Sequence, residues 1–335
     1  MAKTLMKNKE FINKIINGDA LEVLKKIKDN SIDLILTDPP YFLDKLDNNW
    51  TEKKVSNKRN RQVIQSLPAG MKFDRNQGIK FYNWYIEISK EVFRVLKAGG
   101  FFFSFSSPRL YHRMATAIDD AGFEIRDCFL WLYTQNQMKA MSLNHFIEKM
   151  NTTKEKKEAL KSRLAGWKTP QIKSNFEPIV MAQKPTDGTF LNNFIKNEVG
   201  LLNTTIKIGD NMYPSNILTV SGINEIIDKH FLIAKPHGKE KDDFNTHMTV
   251  KPLELCKHLI DLSVYAKDAI VLDPFVGSGT VALASKELGK NYIGIDVNPE
   301  YVELANKRLN NQAKNKTEKA PIKQAELPIT IITGS

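Results

Sequence analysis

Short apolar runs alternate along this chain with stretches whose apolar residues recur at helical spacing, and that alternation leaves few folds open. From Phe11 the sequence reads FINKIINGD, then ALEVLKKIKD with Leu21, Leu24 and Ile27 on one helical face, then IDLILTD: a strand, a helix and a strand. Phe81, Trp84, Tyr85, Ile88, Val92, Val95 and Leu96 predict a further helix, with Gly99-Gly100 as its stop, and FFFSF reads as a buried strand. A helix between Arg109 and Ala121 and the strands EIRDCFLWLY and EPIVMA continue the pattern. Near the other end, AIVLD and YIGID flank a helix between Thr280 and Leu288. Strands this apolar, separated by amphipathic helices, predict a mostly parallel sheet covered on both faces, the α/β class.

Three stretches lack the periodicity: Asp44 to Lys80, Lys139 to Lys173, and Pro185 to Phe244. They read as binding loops or insertions. The tail beyond Asn310, with QAKNKTEKAPIKQAE, has no apolar stripe and is expected to be poorly ordered. No stretch approaches the roughly 20 apolar residues that span a bilayer, and MAKTLMKNKE lacks the apolar run of a signal peptide, so a cytoplasmic protein without a membrane partner is expected. Cys128 and Cys256 stand far apart without paired histidines; they read as buried thiols, and neither a disulfide framework nor a metal site is expected. The net charge of +11 suits a protein that approaches a polyanion, although a Lys-rich proteome gives the same balance.

Two strand ends carry chemistry. The first is DPFVGSGT, Asp273 to Thr280, between the strand AIVLD and the helix VALASKEL. Gly277 and Gly279 allow a tight turn and close approach of backbone to a ligand, and the following helix start offers free N–H groups to an anion or carboxylate. Asp296 ends the next strand, about twenty residues beyond the loop, where a carboxylate accepts hydrogen bonds from both ribose hydroxyls. The spacing lacks both the G-x-G-x-x-G of dinucleotide binders and the GK[ST] of a P-loop, which argues against hydride and phosphoryl transfer. The plainer reading of the glycines is a turn after a strand.

The second is DPPY, Asp38 to Tyr41, at the end of IDLILT. Two prolines fix the backbone and remove donors, so the neighbouring carbonyls face rigidly into the space beyond the strand. An aromatic amine can attack a methyl group only when its lone pair is localised on nitrogen. The Asp38 carboxylate and the Pro39 carbonyl could take both amine hydrogens, draw the nitrogen towards tetrahedral geometry and stabilise its developing charge, with Tyr41 stacked on the ring. A strand-terminating turn with an aromatic anchor is the alternative.

Together these motifs resemble the amino-methylating DNA methyltransferases of the permuted β order, in which DPPY precedes the cofactor loop. The resemblance covers Phe11 to about Leu309 and implies a Rossmann-like, S-adenosylmethionine-dependent fold with a mostly parallel seven-stranded sheet, helices on both faces and circularly permuted motifs. It implies that Asp38, Pro39, Pro40 and Tyr41 are catalytic and hold a flipped base. Asp273, Pro274, Phe275, Gly277, Ser278, Gly279 and Thr280 would line the cofactor, Asp296 and Val297 its ribose and adenosine, with Asp38 alongside. GDAL, Gly18 to Leu21, would sit beside its adenine through Asp19 and Ala20; Asp19 also suits a helix N-cap. NTHMTVKP, Asn245 to Pro252, is similar to the family's HPTxKP segment and implies His247, Thr249, Lys251 and Pro252 along the methionine end, with Met248 where Pro is usual. Lys251-Pro252 equally suits a helix entrance.

The resemblance further implies the domain order: residues 1–138 as the DPPY half of the catalytic domain, 139–175 an insertion, 176–184 the last core strand, 185–244 a target-recognition region, 245–311 the cofactor half, and 312–335 a disordered tail. WKTPQIKSNFEPIVMAQKP, Trp167 to Pro185, is similar to the family segment that ends in that last strand. In the loop after DPPY, Lys53, Lys54, Lys58, Arg59 and Arg61 are candidates for phosphate contact beside an extruded base, or else a solvated charge run. The function so implied is N6 methylation of adenine in double-stranded DNA, with cytosine N4 as the alternative; DPPY favours adenine because cytosine-modifying members more often open the motif with Ser. RNA or protein-amide methylation and a non-catalytic DNA-binding module are rivals; the amide methylators carry NPPY after their cofactor loop. A cognate restriction endonuclease and a second copy of the chain are further candidate partners.

Overall fold

The computed structural model describes residues 10–41, 75–132, 140–170, 172, 174–206, 214–218 and 250–318. Strands β1 (Lys14–Asn17), β2 (Ile32–Thr37), β3 (Leu96–Phe105), β4 (Glu124–Leu132), β5 (Phe176–Gln183), β6 (Ile217–Leu218), β7 (Ile270–Asp273) and β8 (Asn291–Asp296) form one sheet in the order β1-β8-β7-β2-β3-β5-β4-β6. Neighbours run parallel except where β5 lies antiparallel between β3 and β4. The expected sheet had seven strands; the eighth is the two-residue β6 at the edge, too short for any periodicity to reveal.

The helices are α1 (Ala20–Leu24), α2 (Arg75–Val95), α3 (Tyr111–Asp120), α4 (Asn144–Glu148), α5 (Lys154–Arg163), α6 (Phe190–Asn197), α7 (Leu253–Ser263), α8 (Thr280–Glu287) and α9 (Pro299–Glu318). Successive residues of a strand point to opposite faces. Ile35 and Phe102 therefore join the core under α1, α2 and α3, whereas Leu34, Leu36, Phe101, Phe103 and Phe105 join the core under α7 and α8. On α2, Phe81, Tyr85, Ile88, Val92 and Val95 form the buried stripe, each side chain contributing about 1.5–3 kcal/mol relative to exposure.

Several elements depart from expectation. Helix α1 stops at Leu24, because Lys26 and Ile27 turn tighter, donating to the Val23 and Leu24 carbonyls, and this brings Ile27 into the core. Helix α2 begins at Arg75, before the apolar pattern, and runs straight into β3 without a glycine stop. Gly99 instead serves a bulge inside β3: its φ is +80°, and a Cβ there would lie 2.2 Å from the Asn193 amide nitrogen of α6. The stretch 139–173 holds α4 and α5, and 185–244 holds α6 and β6. Helix α9 continues to Glu318 through residues expected to be disordered, while 319–335 lie outside the described residues. Cys256 is buried, but Cys128 is only half-buried. Among the described residues no helix is long and apolar enough to cross a membrane.

Candidate active site

Strand order decides where a ligand fits. From β7 the chain passes through α8 to β8 on one side, and from β2 it passes to β3 on the other, so β7 and β2 border a topological switch point. In open α/β sheets the crevice outside the carboxyl ends at such a point is the binding place. DPPY leaves β2 there, and DPFVGSGT leaves β7. The register is pinned at both ends of the pair. Below, Asp33 accepts the Ile270 N–H at 2.7 Å and the Lys97 ammonium at 2.6 Å; above, the Thr37 hydroxyl donates to Asp273 Oδ1 at 2.6 Å.

The loop after β7 turns through Gly277 at φ +49° and Gly279 at φ +83°, as its glycines predict. Gly279 is also the N-cap of α8, and no side chain caps that helix. Asp296 reaches the loop from β8: Oδ2 accepts the Gly277 N–H at 2.9 Å and Oδ1 the Asn298 N–H at 2.8 Å. A carboxylate has about four lone-pair sites, two per oxygen, so one site on each oxygen is left for a diol. Burial raises the Asp296 pKa against the opposing effect of those amides. Asn17 donates to the Asp296 and Val297 carbonyls, and Gly18 N–H to the Asp296 carbonyl, which sets the start of α1 beside the end of β8. Asp19 caps α1 through the Glu22 N–H, and Val297 stands exposed next to them. An uncapped helix start, a carboxylate with paired free acceptor sites and an exposed apolar side chain fit a nucleoside bearing a carboxylate, as S-adenosylmethionine does.

Four predicted residues, Ser278, Thr280, Asp273 and Phe275, turn inward. Arg308 of α9, itself buried, donates to the Ser278 carbonyl at 2.7 Å, the Ser278 hydroxyl at 3.1 Å and the Thr280 hydroxyl at 3.2 Å, so those side chains are held behind the loop. Asp273 spends Oδ1 on Thr37 and on the Phe275 N–H, and burial with nearby Asp38 and Asp296 pushes its pKa up to about 7. Phe275 packs against Trp84 of α2, ring centres 5.4 Å apart. Arg308 was not a sequence candidate. Its signal was an Arg inside the apolar stripe Leu304, Ala305, Leu309, where a solvated Arg does not belong.

At the end of β2, Pro39 is buried and Pro40 exposed. The Tyr41 hydroxyl donates to Asp38 Oδ1 at 2.6 Å, so in this arrangement the tyrosine closes over the carboxylate rather than standing open for stacking. Lys251 Nζ donates to Asp38 Oδ2 at 2.5 Å and lies 3.2 Å from Glu177 Oε2 of β5. Burial pulls the Lys251 pKa down, but the two carboxylates, Asp38 first, outweigh it and hold the ammonium charged. Lys251, expected along the cofactor, thus contacts the proposed catalytic carboxylate. Pro252 is the N-cap of α7. His247, Thr249, Lys53, Lys54, Lys58, Arg59 and Arg61 lie outside the described residues.

Comparison with known proteins agrees with this geometry. The type II methyltransferase M.HindIII of Haemophilus influenzae (strain ATCC 51907 / DSM 11121 / KW20 / Rd) is 32% identical over 321 residues, 91% of this chain and 97% of that protein. The DNA adenine methyltransferase YhdJ of Escherichia coli (strain K12) is 28% identical over 303 residues, 88% of this chain and 82% of its own. The crystal structure of the M1.HpyAVI–SAM complex has a similar fold, with a TM-score of 0.51 and 21% identity over 89% of this chain and 98% of that one. A family model described as DNA methylase matches residues 32–307, from the strand that bears Asp38 to the helix that bears Arg308, and the chain belongs to that N6_N4_Mtase family.

Proposed function

We propose that this DNA methylase transfers the methyl group of S-adenosylmethionine to the N6 amine of adenine in double-stranded DNA, after the nucleotide has been turned out of the helix. The observation that carries the reading is the position of Asp38, an acceptor at the end of β2, directly across the switch-point crevice from the glycine loop of β7. Asp rather than Ser at the head of the motif supports adenine over cytosine.

The cofactor, when bound, supplies a methyl group on a positively charged sulfur that leaves as a neutral thioether. Asp296 would offer its two free acceptor sites to the ribose hydroxyls, the start of α8 would receive the methionine carboxylate, and Asp19 and Val297 would hold the adenine. Asp38 and the Pro39 carbonyl take the amine hydrogens of the target base and direct its lone pair at the methyl carbon. As the amine nitrogen takes the methyl group in exchange for the bond to sulfur, whose pair would leave with the thioether, positive charge would grow on that nitrogen. Asp38 stabilises that charge and then accepts the proton the nitrogen sheds.

Residues 1–138 and 245–311 are the two halves of the catalytic domain in this reading, with 176–184 its last strand and 139–175 an insertion. The segment 185–244 reads the target sequence, His247 and Thr249 line the methionine end, and the Lys53–Arg61 cluster grips phosphates. A cytoplasmic location and a cognate restriction endonuclease belong to the same proposal, supported by relatives named type II methyltransferases. So does a second copy of the chain, for which α6 leaves Phe190, Leu191 and Ile195 exposed.

The test is transfer of labelled methyl from S-adenosylmethionine to duplex DNA by the purified chain, followed by nucleoside analysis. Label in N6-methyladenine is the expected result. Label in N4-methylcytosine, or transfer only to RNA or protein, overturns the proposal.

A further inference from the structure

Asp38 is enclosed by more charge than amine binding alone explains. Lys251 enters from the start of α7 and its ammonium touches two carboxylates, Asp38 Oδ2 at 2.5 Å and Glu177 Oε2 at 3.2 Å. Its side chain is only 10% exposed, and it passes over the rings of Phe105 and Trp131, with Nζ 5.1 and 6.0 Å from their centres. The topology explains the meeting. Because β5 is antiparallel, its first residues lie beside the last residues of β3 and β4, with Trp131 opposite Glu177, at the same sheet end as Asp38. Among the described residues, buried Glu177 Oε2 has the ionic approach to Lys251 but no well-formed hydrogen bond.

A charge count shows what this does. Asp38 paired with Lys251 alone would be a neutral, mutually saturated ion pair in a site of low dielectric, and a poor stabiliser of positive charge on an attacking nitrogen. With Glu177 sharing the same ammonium, the group of three carries one net negative charge, and Oδ2 of Asp38 is not bound to Lys251 exclusively. We propose that Glu177 is a positioning residue for methyl transfer: by taking up part of the Lys251 ammonium it keeps Asp38 fixed in direction yet net negative towards the amine. This rests on Asp38 being the amine acceptor. Among the described residues, the other titratable groups facing Asp38 include the Tyr41 and Tyr85 hydroxyls, Asp273 and the Cys256 thiol. Tyr41, Tyr85 and Cys256 all have pKa values raised mainly by burial, so they remain neutral across the range of the test.

The experiment compares wild type, Glu177→Gln, Lys251→Met and the double variant in single-turnover methyl transfer, with cofactor affinity measured by titration on each. Glu177→Gln keeps the shape and removes the charge, leaving a neutral Asp38–Lys251 pair. Its transfer rate should fall at least tenfold with cofactor affinity within threefold, because Lys251 then acts on Asp38 alone. Removing Lys251 as well returns one net negative charge, so the double variant should be faster than Glu177→Gln. A Glu177→Gln enzyme within threefold of the wild-type rate overturns the proposal, as does a double variant slower than that single. Identity of the methylated base is read on the wild type, and the role of Glu177 on the ratio of variant to wild-type rate, so the two claims fail separately.

Discussion

Asp296 has given each of its oxygens one backbone amide before any ligand arrives, so it both shapes the loop and faces the crevice. Asp296→Ala should weaken cofactor affinity by about 1–3 kcal/mol, the scale of a charge-assisted hydrogen bond, measured by calorimetric titration; an unchanged Kd removes it from the site. Asp38→Ala should instead abolish transfer while cofactor affinity changes little, because that carboxylate acts on charge which develops only in the transition state. Equal loss of both would show that its role is binding. Asp273 predicts a pH dependence. Burial raises its pKa from 3.8 to about 7, so it stays protonated in the folded state where the unfolded chain has already ionised. Its stabilising contribution is complete below 3.8 and is lost as pH rises through about 7. The stability of wild type relative to Asp273→Asn, from urea midpoints, should therefore decline between those values; a constant difference contradicts the assignment. Asp38, Asp296 and the glycines were readable because short-range spacing after a strand encodes them. Glu177 was not, since its meeting with Lys251 depends on the antiparallel placement of β5, which no local pattern records.

At the scale of elements, α9 acts on the glycine loop after β7 through Arg308, which holds Ser278 and Thr280 from behind. Arg308→Met keeps much of the apolar stem and loses all three hydrogen bonds. It should raise the cofactor Kd about tenfold, equivalent to roughly 1.4 kcal/mol, with a lower Tm; a Kd equal to wild type would mean the loop holds its shape unaided. Much of the alternation of strands and helices was legible because β2, β3, β5, β7 and β8 are largely buried on both faces and α2 and α3 carry one-sided stripes. What escaped was short, as α6 is at eight residues, or lacked a stripe. Arg75 to Lys80 begin α2 in polar sequence around Gly78, and the end of α9 continues through Lys and Asn. Gly99-Gly100 read as a helix stop because glycine marks departure from helical geometry, but the departure served is a bulge against α6.

For the molecule as a whole, the permuted order puts the strand that leads into DPPY early in the chain and the strand that leads into the glycine loop near its end, yet the sheet sets them side by side. The excess positive charge of +11 suits the polyanion such a site must reach. If Lys53, Lys54, Lys58, Arg59 and Arg61 contact phosphates, neutralising them should weaken binding to specific and nonspecific duplexes alike. The slope of log affinity against log salt should flatten by about 0.9 for each contact removed, with cofactor binding intact; an unchanged slope makes the cluster a solvated surface. The central claim, amine methylation of adenine in DNA by Asp38 across from the glycine loop, is tested most directly in a host that lacks DNA methylation. Base-resolved analysis of that host's DNA should find N6-methyladenine at one recurrent sequence with the wild-type chain and none with Asp38→Ala. DNA without N6-methyladenine from the wild-type chain, or equal modification by the variant, would contradict it.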